Sequence, residues 1–373
     1  MSGERFGVTY HICGDETSAF EKARVICLEQ TVEVGDELVP DGPIRDWIIG
    51  QIEQFAPVRS GVFQAQISYA AETSACELPQ LLNVIFGNTS IKAGIRVENL
   101  EFGPELLGKF SGPRFGIPGI RKLLGVYGKP LICSALKPMG KSPRELADSA
   151  YAFAVGGIDI IKDDHGLTDQ PFCPYNERVE ACAEAVARAN RVTGKNCLYF
   201  PNVTAPMHEI FTRARFARNA GAGGLLINPG LTGFDALRAL AGDDTLNLPI
   251  MSHPALLGSM VTSADNGFSH AALFGQVQRL AGADASVYPN YGGRFGFTRE
   301  ECASISRSCQ MLMGNYPPIF PAPGGGMTLE KVADMLTVYG DDVLFLMGGG
   351  LYGHSPDLAA NTRYFLSLIG RKD

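Results

Sequence analysis

From Leu131 to the end of the chain, short apolar segments alternate with amphipathic ones, and this alternation limits the possible folds more than any other feature. Each apolar segment is too continuously apolar for a strand with one face in water. The segments between them, such as residues 178–186, place apolar side chains at helical spacing. The pattern predicts an α/β fold of eight strand–helix units closed into a parallel (β/α)8 barrel, with a doubly wound sheet as the alternative. The apolar segments begin near Leu131, Ile158, Cys197, Gly223, Leu248, Ala285, Pro318 and Val343.

The amino-terminal part follows a different pattern. Residues 6–12 and 62–69 alternate as strands do, whereas residues 17–30 and 81–86 resemble helices. This order predicts an α+β domain of ferredoxin-like type. We therefore divide the chain into a domain of residues 1–115 and a barrel of residues 116–373.

The composition of the chain excludes some classes of binding partner. A net charge of −7 argues against nucleic acid and anionic membranes, because both need a basic protein surface. No apolar run has the length of a membrane span, and the first residues lack the apolar core of a signal peptide. The nine cysteines are scattered and form no CxxC pair. We expect reduced thiols in a cytoplasmic protein.

The predicted second barrel strand ends in an unusually dense group of polar residues: Lys162, Asp163, Asp164 and His165. A solvated turn is one interpretation of such a group. The other is a metal site whose ligands project from the strand end, where barrels carry their catalytic groups.

Polar side chains recur where most of the predicted strands end, and we expect them to converge on one pocket. The glycines after the last two strands, including Gly325, Gly326, Gly348 and Gly349, suit a phosphate because their N–H groups can approach it closely. Tight turns and a dinucleotide fingerprint are the alternatives; the fingerprint lacks its acidic residue. The other strand-end residues are Lys137, Lys162, Asp164, His165, Asn202, Thr204, Asn228, His253, Asn290 and Arg294.

The segment GGIDIIKDDHGLTDQPF resembles the active-site lysine segment of the RuBisCO large subunit, whose pattern is GGxDxxKDDE…QPF. The resemblance extends through ISYAAETSACELPQLLNVIFGN and FSGPRFGIPGIRKLLGVYGKPL, and so covers nearly the whole chain. It implies the same two-domain architecture. We identify the chain as resembling the RuBisCO-like branch (form IV) of this family.

The resemblance implies roles for individual residues. Lys162 would be the lysine that becomes a carbamate, Asp164 the second metal ligand, and Lys137 the catalytic lysine of strand one. His253 matches the family's strand-five histidine. Independently of the resemblance, the position of Arg294 after Gly292 and Gly293 makes it a candidate clamp for the phosphate, with a solvated arginine as the alternative. Glu29 and Asn88 match residues that reach the neighbouring subunit's site, which implies a homodimer with shared active sites.

The chain also departs from the family pattern. His165 replaces the third ligand, a glutamate, so we expect weakened Mg²⁺ binding, another divalent metal, or no metal with an unmodified Lys162. Met139 replaces a second lysine, for which Lys141 is a possible substitute. Pro254 replaces an arginine, and Val287 and Tyr288 lie where a histidine would be. In the family, that arginine and that histidine hold the second phosphate of a bisphosphate. The chain therefore keeps one phosphate site and loses the second.

The remaining groups suit an enolate formed from a singly phosphorylated keto sugar or keto sugar acid. We expect no CO₂ fixation. Decarboxylation or carboxyl transfer of the 3-oxo-isoapionate 4-phosphate type is favoured, because it needs no strong base. An isomerase or enolase of a methylthio-pentulose phosphate is the first alternative, and a non-catalytic protein that binds a phosphometabolite is the second.

Overall fold

A five-stranded sheet, formed mostly by the amino-terminal part of the chain, is the first layer of the computed structural model, which describes residues 2–371. Its order is β10-β4-β1-β3-β2, and β1 lies antiparallel to both β3 and β4. This arrangement of the first four strands confirms the ferredoxin-like prediction. The strands are β1 (Arg5–Cys13), β2 (Gln51–Arg59), β3 (Val62–Ala70), β4 (Ile95–Glu101) and β10 (Gly267–Phe268).

The alternation of buried and exposed side chains explains which of these strands are recognisable in the sequence. In β1, every second side chain from Phe6 to Ile12 is buried. By contrast, β2 is an edge strand with mostly exposed side chains, and it was not predicted. The short β10 comes from the barrel half of the chain, and Gly267 and Phe268 pair in parallel with Arg96 and Val97 of β4.

Within the described residues, eight parallel strands form the barrel, as predicted. Two four-stranded sheets, β13-β5-β6-β7 and β12-β11-β9-β8, are linked between β7 and β8 by a bridge from Asn202 to Leu226. Alternate side chains, among them Cys133, Ile160, Phe200 and Met251, fill the interior. The strands are β5 (Leu131–Leu136), β6 (Ile160–Asp163), β7 (Leu198–Phe200), β8 (Leu225–Ile227), β9 (Ile250–Ser252), β11 (Ala285–Pro289), β12 (Phe320–Gly324) and β13 (Leu344–Leu346).

Helices follow most strands and cover both layers. α5 begins with a capping box in which Ser142 and Glu145 exchange hydrogen bonds. A π-helical segment, Ala272–Val277, leads into α10. The helices are α1 (Glu16–Glu29), α2 (Leu78–Phe86), α3 (Pro104–Leu107), α4 (Gly116–Leu124), α5 (Pro143–Val155), α6 (Tyr175–Thr193), α7 (Met207–Asn219), α8 (Pro229–Thr232), α9 (Phe234–Gly242), α10 (Gln278–Leu280), α11 (Arg299–Gln310), α12 (Val332–Tyr339), α13 (Gly349–Tyr352) and α14 (Leu358–Leu368).

Two further observations concern the cysteines and the length of the apolar helices. All nine cysteines lie within residues 2–371, and none of them forms a disulfide. Within the same residues, no helix is both long and apolar enough to cross a membrane.

Candidate active site

A cavity of about 1170 Å³ opens at the carboxyl ends of the barrel strands. Most of the predicted site residues in the barrel line it, which brings together side chains that are far apart in sequence. These lining residues are Lys137, Lys162, Asp164, His165, His253, Arg294, Gly325, Gly326, Gly348 and Gly349.

Two lysines and one carboxylate form the centre of this cavity. In the pairing of β5 with β6, Ala135 lies opposite Lys162. Lys137 is two residues after Ala135 and Asp164 is two residues after Lys162, so these side chains all face the same side of the sheet. The Nζ of Lys137 lies 2.8 Å from Oδ1 of Asp164. Burial alone raises the pKa of Asp164, but hydrogen bonds from His165 and Lys137 outweigh burial and hold this pKa well below its ordinary value.

Lys162 is the most deeply buried of these charged side chains, with 1% of its surface exposed. Its Nζ donates a hydrogen bond to the backbone carbonyl of Asp163 at 2.9 Å. Burial lowers the pKa of Lys162, because the ammonium is poorly solvated there, and the charge of Lys137 lowers it further. A buried amine of this kind can exchange a proton with a bound ligand.

His165 and His253 stack face to face, with ring centroids 4.5 Å apart and planes inclined by 7°. The Nδ1 of His253 accepts the N–H of Ala255 at 3.2 Å, so the proton of the neutral ring is on Nε2. Burial, followed by the charge of Lys162, holds the pKa of His253 well below its ordinary value. His253 is therefore an uncharged hydrogen-bond donor near neutral pH.

Asp163 supports the site from behind the strand. It is fully buried, and its Oδ2 lies 3.2 Å from Nε of the equally buried Arg178. Its Oδ1 accepts the hydroxyl of Tyr199 at 2.7 Å, and its Oδ2 also accepts the N–H of Asn202 at 3.0 Å. Asp163 thus has a structural role, whereas its neighbours Lys162 and Asp164 face the cavity.

The glycines after β12 have a geometry suited to an anion. Gly325 and Gly326 have φ values of +85° and +94°, and an added Cβ would meet Phe295 at 2.7 Å and the Arg294 nitrogen at 2.8 Å. Their N–H groups make no hydrogen bond within residues 2–371. The guanidinium of Arg294 lies over the Phe295 ring, 5.1 Å from its centroid, beside these glycines. Free N–H groups beside an arginine are what a phosphate site requires.

We expect Arg294→Ala to weaken binding of a singly phosphorylated sugar by about 1.5–3 kcal/mol, because a charge-assisted hydrogen bond to the phosphate is lost. Calorimetric titration with ribulose 1-phosphate measures this change. Arg299→Ala is the matched control, since Arg299 pairs with Asp334 at 3.2 Å and does not line the cavity. Equal dissociation constants for the two variants would remove Arg294 from the phosphate site.

The prediction that all polar strand-end residues converge on the pocket was wrong for four of them: Asn202, Thr204, Asn228 and Asn290. Asn202 instead donates to the carbonyls of His165 and Leu167, and so holds the loop that carries His165. Asn290 points away from the barrel axis and accepts the hydroxyl of Tyr339. Side chains alternate between the two faces of a strand, so proximity to a strand end does not by itself place a residue in the pocket.

Three other expected residues lie outside this chain's cavity. Lys141 donates to Ser149 of α5 at 3.3 Å and does not substitute for the missing lysine at the cavity wall. Glu29 and Asn88 lie together in the amino-terminal domain, where Asn88 Nδ2 donates to Glu29 Oε1 at 3.1 Å. Glu29 also pairs with Lys92 at 3.0 Å.

The cavity also includes residues that the sequence did not reveal as functional. His270 and Glu301 line its wall together with Phe274 and Phe297. Glu301 occupies the fourth position of a Thr298–Glu301 capping box, a pattern that identifies a helix start rather than a site. Nothing in the sequence around His270 indicates a ligand.

The unmodified side chains do not fit a magnesium ion. Of the three predicted ligands, only Asp164 is a carboxylate, and its Oδ1 is already paired with Lys137. Magnesium prefers oxygen ligands, whereas His165 offers a nitrogen 3.4 Å from the same carboxylate oxygen. No group of three histidine, cysteine or acidic side chains in the described part of the chain is arranged to hold a metal.

Comparison with known proteins places these features in a family. Residues 116–293 match the family model described as ribulose bisphosphate carboxylase large chain, catalytic domain. The 5-methylthioribulose-1-phosphate isomerase of Rhodospirillum rubrum is 33% identical over 98% of this chain and 96% of its own length. The 2,3-diketo-5-methylthiopentyl-1-phosphate enolase of Bacillus pumilus is 32% identical over 85% of this chain and 79% of its own.

A solved structure shows the same similarity in three dimensions. The crystal structure of a Rubisco-like protein from Rhodopseudomonas palustris superposes with a TM-score of 0.88 at 34% identity. The superposition covers 99% of this chain and 98% of that one, so both domains are included.

Proposed function

Because the chain belongs to the RuBisCO large-chain family, as one of its RuBisCO-like proteins, we propose that it forms an enolate from a singly phosphorylated keto sugar derivative. The observation that carries this proposal is the placement of Lys137, directly after β5, and Lys162, on the adjacent β6, in one cavity with the glycines beside Arg294. We do not expect it to fix CO₂, because Pro254 and Val287 line the cavity where groups for a second phosphate would be needed.

The order of preference between the two enolate reactions changes from the sequence-based one. The sequence favoured decarboxylation, since a carboxylate ligand is missing. Two relatives, however, are named as a 5-methylthioribulose-1-phosphate isomerase and a 2,3-diketo-5-methylthiopentyl-1-phosphate enolase. Lys162 has a lowered pKa and supplies the base that such proton transfer needs. We therefore propose proton transfer first and keep decarboxylation as the second candidate.

The proposed mechanism assigns one role to each group. Backbone N–H groups of Gly325 and Gly326, with Arg294, hold the phosphate and orient the sugar. Lys162, as a neutral amine, removes the proton from the carbon beside the carbonyl. The Lys137 ammonium, fixed by Asp164, and the Nε2–H of His253 stabilise the negative charge that develops on oxygen.

Solvent exchange tests this proposal directly. The protein is incubated in D₂O with ribulose 1-phosphate, or with a 3-oxo sugar-acid phosphate, and the products are followed by NMR and mass spectrometry. We expect deuterium at the carbon beside the carbonyl. Release of CO₂ from the sugar acid, without exchange in the other substrate, would favour decarboxylation. If neither reaction occurs with any member of a panel of keto sugar phosphates, the protein binds a phosphometabolite without catalysing a reaction.

We further propose that two copies share their active sites through the half-buried Glu29 and the exposed Asn88 of the amino-terminal domain. Lys162→Met and Asn88→Ala subunits, each impaired alone, should complement each other when mixed. A random mixture should recover about a quarter of the native activity, because one site of each mixed dimer is then intact. No recovery would place each site within a single subunit.

The fit of a metal is also testable. We expect His165→Glu to bind Mg²⁺ more tightly than the native protein in bicarbonate-containing buffer, because it adds an anionic oxygen ligand beside Asp164. Calorimetric titration with MgCl₂ gives both affinities. His208→Glu makes the same charge change at an exposed position on α7 and is the control. Native affinity equal to that of His165→Glu would contradict the poor fit described above.

A further inference from the structure

The cavity continues beyond the lysines, towards the region between β9 and β11. We call this extension the β9–β11 arm and define it by the residues His270, Phe274, Val287, Phe297 and Glu301. The glycines that suit the phosphate follow β12 and β13, at other strand ends. A sugar held there by its phosphate has this arm in the same cavity for its other end.

The arm has one fixed carboxylate in its wall. Glu301 Oε2 accepts the N–H of Thr298 at 2.8 Å, and Glu301 Oε1 lies 3.5 Å from Nδ1 of His270. The His270 ring is buried and meets Phe297 edge-on, with centroids 4.3 Å apart. These contacts hold Glu301 and His270 in one arrangement and leave little freedom to move away from a ligand.

The charge of the arm excludes a second phosphate. Among the described residues that line the cavity, three are lysine or arginine: Lys137, Lys162 and Arg294. None of the three belongs to the β9–β11 arm. An anionic group entering the arm would face the Glu301 carboxylate without a lysine or arginine in the wall. Like charges brought together in a partly desolvated site repel strongly.

The hydrogen-bonding capacity of the arm points to a donor on the ligand. Burial lowers the pKa of His270, so its ring is neutral near neutral pH. With its proton on Nδ1, directed at Glu301, its Nε2 accepts hydrogen bonds, as the carboxylate does. A hydroxyl can donate to such acceptors, whereas a thioether or a methyl group cannot.

We propose that Glu301, held in place by Thr298 and His270, selects a substrate whose unphosphorylated end is uncharged and carries a hydroxyl. This inference rests on the proposed function, since it names the substrate class of the same site. It adds a specificity-determining residue and separates this chain's substrate from sugars that end in a phosphate or an apolar group.

Glu301→Gln tests the inference, because glutamine keeps an oxygen for the Thr298 N–H and so preserves the capping box. Glu300→Gln removes the same charge from an exposed neighbour outside the cavity and is the matched control. Each full-length protein is titrated calorimetrically with ribulose 1-phosphate, ribulose 1,5-bisphosphate and 5-deoxyribulose 1-phosphate.

We expect the native protein to bind ribulose 1-phosphate at least about tenfold more tightly than either other sugar. Glu301→Gln should reduce the preference over the bisphosphate by about tenfold, and Glu300→Gln should leave it unchanged. This inference alone would be overturned if Glu301→Gln and Glu300→Gln showed the same ratio of affinities for ribulose 1-phosphate and the bisphosphate. It would also be overturned if the native protein bound the 5-deoxy sugar as tightly as ribulose 1-phosphate. Failure of all three sugars to bind the native protein would overturn the proposed function and this inference together.

Discussion

Replacing Lys162 with methionine is expected to lower kcat by about 10³-fold, within the range that a positioned general base contributes. Methionine fills a similar volume and has no amine. Because the Lys162 side chain is almost fully buried, removing its charge should not destabilise the protein. The measurement is the rate of deuterium incorporation into the substrate, with the thermal unfolding midpoint as a check on folding.

The pH dependence separates a base from a residue with a structural role. A neutral amine is the active form, so native kcat/KM should rise with pH through the pKa of Lys162, which lies below the ordinary value of 10.5. This rise should disappear in Lys162→Met. Lys141→Met is the control, because Lys141 contacts Ser149 outside the cavity and should keep both rate and profile. An unaltered rate in Lys162→Met would remove Lys162 from the mechanism.

Asp163→Ala is expected to lower the free energy of unfolding by about 3–5 kcal/mol, since it leaves the buried Arg178 without its counter-ion. The same change removes the acceptor of the Tyr199 hydroxyl and of the Asn202 N–H. Urea denaturation followed by circular dichroism measures the loss.

Glu184→Ala serves as the control for this effect. Glu184 pairs with Arg191 at 2.8 Å, but both side chains are about two-thirds exposed, so solvent screens the pair and the unfolding curve should barely move. If the two variants unfold alike, the buried network behind β6 does not stabilise the barrel.

Much of this architecture could be predicted from the sequence, because burial leaves a pattern there. The barrel strands are continuously apolar, and β1 alternates, so both were recognised. Helix α5 was found from its capping box at Ser142. β2 was missed because an exposed edge strand needs no apolar periodicity.

The site was predictable in part, from the residues that follow the barrel strands. Lys137, Lys162 and Asp164 were expected in the pocket and lie there. Asn202 and Asn290 were misplaced, since one residue of register decides which face a side chain occupies. Glu301 was missed because its local pattern already had a structural explanation. The pairing of Lys137 with Asp164 is a contact between neighbouring strands, and no local sequence signal specifies it.

The pairing of β10 with β4 means that the two domains cannot be separated cleanly. A fragment cut at residue 115 would leave Gly267 and Phe268 without a partner strand, only two residues before His270. The Ser269 hydroxyl, which donates to the Glu98 carbonyl at 2.8 Å, would lose its acceptor as well. A barrel produced alone should therefore lose order first in the cavity wall that contains His270, while Lys162 on β6 stays in place.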